Sequence, residues 1–257
     1  MAIVTLTTDF GTSDAYAGAM KGVVLSRAPD AVLVDIAHDI PARDVIAGGF
    51  TLAQAAPCFP AGTIHVAVVD PGVGGPRAGV VVQAAGHLFV GPDNGLLALA
   101  AAAPRAVYRI ENPDFRREPV SPTFHGRDVF AAAAGCLARG VPASHAGPEL
   151  LALAELPLPD SGSLADGGQG EVVHVDRFGN LITSFDSRVP PEGVWELDLD
   201  GRRMPLSAGL TFSDVAPGQM VVYPGSGGCL EIAVRDGSAA AATRARRGSL
   251  VILRRAP

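Results

Sequence analysis

The sequence predicts an α/β protein: a mainly parallel N-terminal sheet with flanking helices, followed by a smaller C-terminal antiparallel, β-barrel-like domain. Two observations carry this expectation. Up to about residue 140, short runs of β-branched and apolar residues alternate with segments of helical period, the pattern of a sheet covered by helices. Beyond residue 170 only short strand-like runs recur, at 171–175, 180–185, 194–199, 202–206, 219–223, 229–234 and 249–253, separated by turns such as Asp200-Gly201. The Pro-, Gly- and Ser-rich stretch 156–170 reads as a linker, so the domains are expected at 1–155 and 171–257.

Taken in order, residues 2–8 form a strand that stops at Asp9, and Ser13 or Asp14 is expected to cap a helix whose apolar positions Tyr16, Met20, Val23 and Val24 recur at helical spacing. Asp9 itself reads equally well as a helix cap or as a ligand contact, because both use the same orphan amides. A second strand, 31–37, leads to His38-Asp39, read as a structural hydrogen-bonded pair, and then to a helix over about 44–56. Strands are expected at 64–69, 79–84, 87–90 and 106–110. The turn Gly91-Pro92-Asp93-Asn94-Gly95 introduces a helix 96–102, with Asp93 as its cap. His125 precedes an Ala-rich helix at 129–139, where the positive end of the helix favours a neutral imidazole.

Composition narrows the class. The 257 residues suffice to bury a large core, and although 48% are hydrophobic, no run approaches the roughly 18–20 apolar residues of a membrane span. Met1 leads directly into strand-like sequence without the charged and apolar regions of a secretory signal, and the three cysteines, Cys58, Cys136 and Cys229, are dispersed. A cytoplasmic protein with reduced cysteines is expected. A net charge of −6 and the absence of a basic stripe argue against nucleic acid as partner.

The chain is organised around residues 64–77, IHVAVVDPGVGGPR. Its first six residues read as a strand buried on both faces. Pro71, Gly72, Gly74, Gly75 and Pro76 then enforce a tight loop that leaves Asp70 at a strand's carboxyl end and returns Arg77 towards it. In open α/β sheets that end is where ligands bind. Asp9 and His125 are perched in comparable places, at a strand end and a loop-to-helix junction. The second domain adds a polar turn, Asp176-Arg177-Phe178-Gly179-Asn180, and a glycine-rich loop, 225–228, running into a strand that contains Glu231.

Taken together, TDFGTSDAYAGAMKG, VVDPGVGGPR, FVGPDNGLL, PTFHGRD, VDRFGNLITSF and GSGGCLEIAV closely resemble the S-adenosylmethionine hydrolases, also called SAM hydroxide adenosyltransferases, which are relatives of the SAM-dependent fluorinase and chlorinase. The resemblance runs in order from about residue 3 to 253. It implies a metal-free and cofactor-free enzyme in which water attacks ribose C5′ of S-adenosyl-L-methionine, releasing adenosine and L-methionine. It implies a homotrimer with each site between the N-terminal domain of one subunit and the C-terminal domain of its neighbour. By the same resemblance Asp70, Arg77 and His125 are the catalytic triad. Asp9 would hold the ribose hydroxyls, Asp14 and Asp176 would lie near the methionine amine, and Asn180 would contact adenine. Phe212 would stack on adenine, with Ser226, Glu231 and Val234 as further contacts. The halogenases have Tyr at the position of Asp70, and the fluorinase has Ser at that of Gly126, Trp at that of Ala42 and Arg at that of Gly227. A loop inserted before their GPDNG-like turn is missing here.

Three other functions stay in view: a halogenase or haloadenosine dehalogenase, which the Asp70, Arg77, His125 set disfavours; a SAM- or adenosine-binding module with incidental turnover; and a metal-dependent hydrolase built on His65, Asp70 and His125. The last is disfavoured because His65, five positions before Asp70, falls on the opposite face of the strand.

Overall fold

The computed structural model describes residues 1–102, 105–156, 167–187 and 193–256. The chain divides into two compact units, Met1–Leu156 and Pro157–Pro257. Of the expected linker, residues 157–166 lie outside the described residues, whereas Gly167–Gly170 already belong to a strand.

The first unit contains β1 (Ile3–Thr8), α1 (Tyr16–Arg27), β2 (Val32–Ala37), α2 (Val45–Ala55), β3 (Ile64–Val68), β4 (Gly79–Ala84), β5 (His87–Pro92), β6 (Arg105–Arg109), α3 (Ala132–Ala138) and β7 (Glu149–Leu150). Its strands form one sheet in the order β2-β1-β3-β5-β4-β6-β7. The pairs β1–β2, β1–β3 and β3–β5 are parallel, and β4, β6 and β7 extend the sheet by antiparallel pairing. Side chains of β3 and the residue after it divide between two cores. Ile64, Val66 and Val68 pack with Met20, Val24, Phe130 and Leu137, while Ala67 and Val69 pack with Leu52, Phe89 and Leu96. This is why the strand reads as continuously apolar, each large buried side chain contributing roughly 1.5–3 kcal/mol.

Local expectations at three places are corrected. The N-cap of α1 is Ala15 with no side-chain hydrogen bond, so neither Ser13 nor Asp14 caps it, and Asp14 is exposed. Residues 96–100 form consecutive turns and no helix. The apolar spacing there serves burial of Leu96, Leu97 and Ala101 in the second core, and Asp93 Oδ1 instead accepts the Ala154 N–H at 2.8 Å. The helix expected from residue 129 starts earlier, as a wide π turn over Gly126–Ala131 that continues into α3. Asp44 does cap α2, accepting the Ala47 N–H at 2.9 Å.

In the second unit β8 (Gly167–Val175), β9 (Leu181–Asp186), β10 (Val194–Leu199), β11 (Arg202–Ala208), β12 (Met220–Pro224), β13 (Cys229–Val234) and β14 (Leu250–Arg255) close a barrel in the order β10-β11-β12-β13-β9-β8-β14. All its pairings are antiparallel except the short parallel β11–β12 contact. Phe185, Leu181, Leu197 and Ile232 fill the core. A short helix, α4 (Ala239–Thr243), is capped by Ser238. Among the described residues, no helix is long and apolar enough to cross a membrane.

Candidate active site

The site is built outward from the end of β3. Asn94 Nδ2 donates to the Val69 carbonyl at 2.9 Å, fixing the backbone immediately before Asp70. The loop then folds on itself through Val73 N–H to Asp70 O at 3.3 Å and Gly75 N–H to Gly72 O at 3.0 Å, which returns Arg77 to Asp70. Arg77 Nε donates to Asp70 Oδ1 at 2.9 Å, and Arg77 Nη2 donates to Oδ2. This two-point geometry suits a planar guanidinium facing a carboxylate. The two side chains are only 5% (Asp70) and 12% (Arg77) exposed, and the guanidinium lies 5.3 Å from the centre of the buried Phe130 ring.

Arg77 Nη2 also donates to His125 Nδ1, at 2.8 Å. A guanidinium has no lone pair to offer, so Nδ1 is the acceptor and the ring proton sits on Nε2. Burial and then the Arg77 cation push the His125 pKa below its ordinary value, outweighing the opposite pull of Asp70. The imidazole is therefore neutral at pH 7, for reasons more local than the helix dipole. His125 reaches Arg77 because the two loops interlock at Gly74. That residue has φ +76°, and a Cβ there would lie 2.5 Å from the Pro122 carbonyl oxygen. Any other residue would strain the turn and separate the loops.

Asp70 and His125 line a cleft of about 610 Å³ together with Asp9, Phe10, Tyr16 and Phe124. Asp9 Oδ2 accepts the Arg43 N–H at 2.8 Å. It thus braces the loop after β2 and caps no helix, and no hydrogen bond to Oδ1 occurs among the described residues. Phe10, Tyr16 and Phe124 pack on one another with ring centres 5.2–6.0 Å apart. Gly126 is close-packed beneath them, where a Cβ would stand 3.2 Å from Phe10 and 3.3 Å from Met20 Sδ. His38 pairs with Thr8 Oγ1 at 2.8 Å and lies 3.1 Å from Asp35, so its partner is not Asp39.

Of the residues expected in the second domain, Asp176, Asn180 and Ser226 lie on turns, Phe212 opens a short 3-10 helix, and Glu231 and Val234 belong to β13. Asp176 Oδ1 accepts the N–H groups of Phe178 and Asn180 at 2.9 and 2.8 Å, and Oδ2 accepts from Asn180 Nδ2 at 2.9 Å. Glu231 accepts from the Tyr223 hydroxyl at 2.8 Å across β12–β13, and burial followed by this bond pushes the tyrosine pKa up. Phe212 and Ser226 are exposed, and Val234 is half-buried. Sequence reasoning assigned no role to Asn94, Phe124, Arg127 or Asp128, although each lies within one of the quoted motifs.

Comparison with known proteins places the chain in a family. Residues 4–147 match the SAM hydroxide adenosyltransferase N-terminal domain, and residues 170–252 match its C-terminal domain. A Thermus thermophilus protein named (R)-S-adenosyl-L-methionine hydrolase is 43% identical over 95% of this chain and 96% of its own. A protein of the same name from Salinispora tropica is 42% identical over 92% of each. Fluorinases are more distant, at 26% for that of Nocardia brasiliensis over 90% of this chain and 89% of its own. The crystal structure of an uncharacterized conserved protein from Thermotoga maritima superposes with a TM-score of 0.89 at 32% identity, covering 98% of this chain and all of that one. The chain belongs to the SAM hydroxide adenosyltransferase family.

Proposed function

We propose that this protein hydrolyses S-adenosyl-L-methionine to adenosine and L-methionine, with Asp70, Arg77 and His125 as the residues that deliver water. The observation that carries this reading is the bonded set Asp70–Arg77–His125, of which Asp70 and His125 line a cleft that also holds Asp9. The relatives are named for the (R) epimer at sulfur, and the same preference is proposed here.

The sulfonium makes methionine a neutral, good leaving group, so the demand falls on the nucleophile. A water lone pair forms the O–C5′ bond while the C5′–S pair moves to sulfur, and one water proton leaves. Its acceptor is Asp70, since each carboxylate oxygen retains a lone pair beyond the one engaged by Arg77. His125 is a poor candidate for that role. Its Nε2 carries the ring proton and its Nδ1 holds the Arg77 N–H, so it acts as a donor that orients the water. Arg77 fixes the Asp70 carboxylate through its two-point hydrogen bond and locks the imidazole tautomer. Positioning of this kind can supply roughly 7–11 kcal/mol of the barrier. The free proton ends in solvent, and the balance requires no metal or cofactor.

Asp9 is proposed to hold the ribose hydroxyls. Asp14, Asp176, Asn180, Phe212, Ser226, Glu231 and Val234 are proposed to hold adenine and methionine, with the second-domain groups contributed by a neighbouring subunit of a homotrimer. Free, dispersed cysteines fit a reducing compartment, and the cytoplasm is the proposed location. Asp70 and Gly126 stand where halogenases carry other residues, which favours water over halide. Incubation with the separated (R) and (S) epimers, with and without chloride, tests the reading by chromatography. Adenosine and methionine from the (R) epimer, unchanged by chloride, are expected; a haloadenosine, or tight binding without turnover, contradicts it.

A further inference from the structure

Behind the triad lies a carboxylate that the proposed chemistry does not use. The Asp128 side chain is fully buried. Its Oδ1 accepts from Arg127 Nε at 2.7 Å and from Arg117 Nη1 at 3.2 Å. Its Oδ2 accepts from Arg127 Nη2 at 2.8 Å and from the Ser121 N–H at 2.9 Å, while the Asp128 carbonyl accepts the Arg117 N–H at 2.7 Å. Burial alone would raise this carboxyl's pKa, but the bonds from Arg127, Ser121 and Arg117 outweigh it and hold the group ionised.

A buried carboxylate needs cationic partners, and two arginines meet that need. The bonds to the backbone of Ser121 and Arg117 do something more. They tie the start of the arm 117–127 to the residue just beyond its end. Within that arm Pro122 abuts Gly74 of the Asp70 loop, and Phe124 lies beneath the Arg127 guanidinium at 4.9 Å. His125 follows directly. The π turn over Gly126–Ala131 is a wide turn of the kind found at functional sites, and it contains Asp128. The carboxylate that holds the Ser121 N–H and the Arg117 guanidinium within the arm therefore also holds the arginine that packs on Phe124, one residue before the imidazole.

We propose that Asp128 is a positioning residue for the reaction: by closing the 117–127 arm it seats His125 Nδ1 on Arg77 and so fixes the direction of the Nε2–H donor. The catalytic part of this inference rests on the hydrolase reading given above. The test compares Asp128→Asn and Asp128→Glu in the full chain, at a temperature where their circular dichroism matches wild type, by steady-state kinetics and by ¹⁵N spectra of the His125 ring. For Asp128→Asn a fall in kcat of about 10²-fold with KM little changed is expected, the scale of a misplaced catalytic group. Asp128→Glu should recover part of it. The wild-type ring should report a bare Nδ1 and a protonated Nε2, and Asp128→Asn a mixture of tautomers.

Unchanged kcat and an unchanged ring spectrum in folded Asp128→Asn overturn the proposal and leave Asp128 a purely structural anchor. Should Asp128→Asn not fold, Arg127→Gln keeps the carboxylate with Arg117 and Ser121. There a kcat loss of about tenfold with an altered ring spectrum is expected, and wild-type behaviour overturns the proposal. If wild-type protein makes no adenosine, the hydrolase reading fails, and the His125 spectra still decide whether Asp128 sets the ring.

Discussion

At the carboxyl end of β3, His125 takes a hydrogen bond from the guanidinium of a buried ion pair beside an open cleft. Near the amino end of the same strand, His65 is fully buried against Thr5, His87 and Phe89. Its Nδ1 lies 2.8 Å from Thr5 Oγ1, its Nε2 lies 3.4 Å from His87 Nδ1, and its ring stacks on Phe89 at 5.1 Å. Both rings have depressed pKa values, burial being the first cause in each. The comparison teaches that neither the residue type nor the pKa shift marks the functional histidine. What marks it is a charged partner with a defined donor direction, together with access to substrate-sized space.

The sharpest way to break this comparison is Asp70→Asn, which retains shape and removes the proton acceptor. It should lower kcat by about 10³-fold in an adenosine-release assay and leave the His65 end of the sheet untouched. A retained rate would move the proton acceptor elsewhere.

The next effect belongs to the other histidine and concerns stability. His65 titrates near 6.5 unfolded and at about 4 folded, so the unfolded chain binds more protons between those values. Its contribution is fully present above pH 6.5 and is lost as pH falls towards 4, a change of about 3 kcal/mol. Urea midpoints at pH 7 and pH 4.5 should show it. His65→Gln should flatten the dependence without altering turnover at pH 7.

Slightly smaller is the effect of His125→Ala, a loss of about 10²-fold in kcat. His125→Gln, whose amide can still donate, should regain part of that loss. In wild type, kcat/KM should fall as pH drops through the depressed His125 pKa, because a protonated ring can no longer accept from Arg77. That acid limb should vanish in His125→Gln; its persistence would place the titration elsewhere.

Much of this was legible before any coordinates. β3 announces itself as an apolar run because both of its faces are covered, and Asp70 and Arg77 are joined by a loop so rich in Gly and Pro that their return contact is a local matter. His125 is different. It lies 48 residues from Arg77, and tertiary contacts such as the fit of Pro122 against Gly74 bring it there. From sequence it stood out through family resemblance and its place at a helix start. Asp128 stayed hidden because a carboxylate opening an Ala-rich helix looks like an ordinary first-turn charge. Residues 96–102 misled for the complementary reason, since burial in the second core imposed an apolar spacing that imitates a helix.

The smallest expected effect separates holding from chemistry. In the second unit, the Asp176 side chain bonds, among the described residues, only within its own turn. Asp176→Ala should cost about 1–3 kcal/mol of that unit's stability and raise KM while leaving kcat nearly unchanged. A large fall in kcat would mean that Asp176 takes part in water delivery.

The central claim is tested most directly by turnover of S-adenosyl-L-methionine in ¹⁸O-labelled water, followed by mass spectrometry of the adenosine. Label at the 5′ oxygen is predicted, since the attacking atom comes from solvent and the bond made is O–C5′. Unlabelled adenosine, or none at all, would contradict the account.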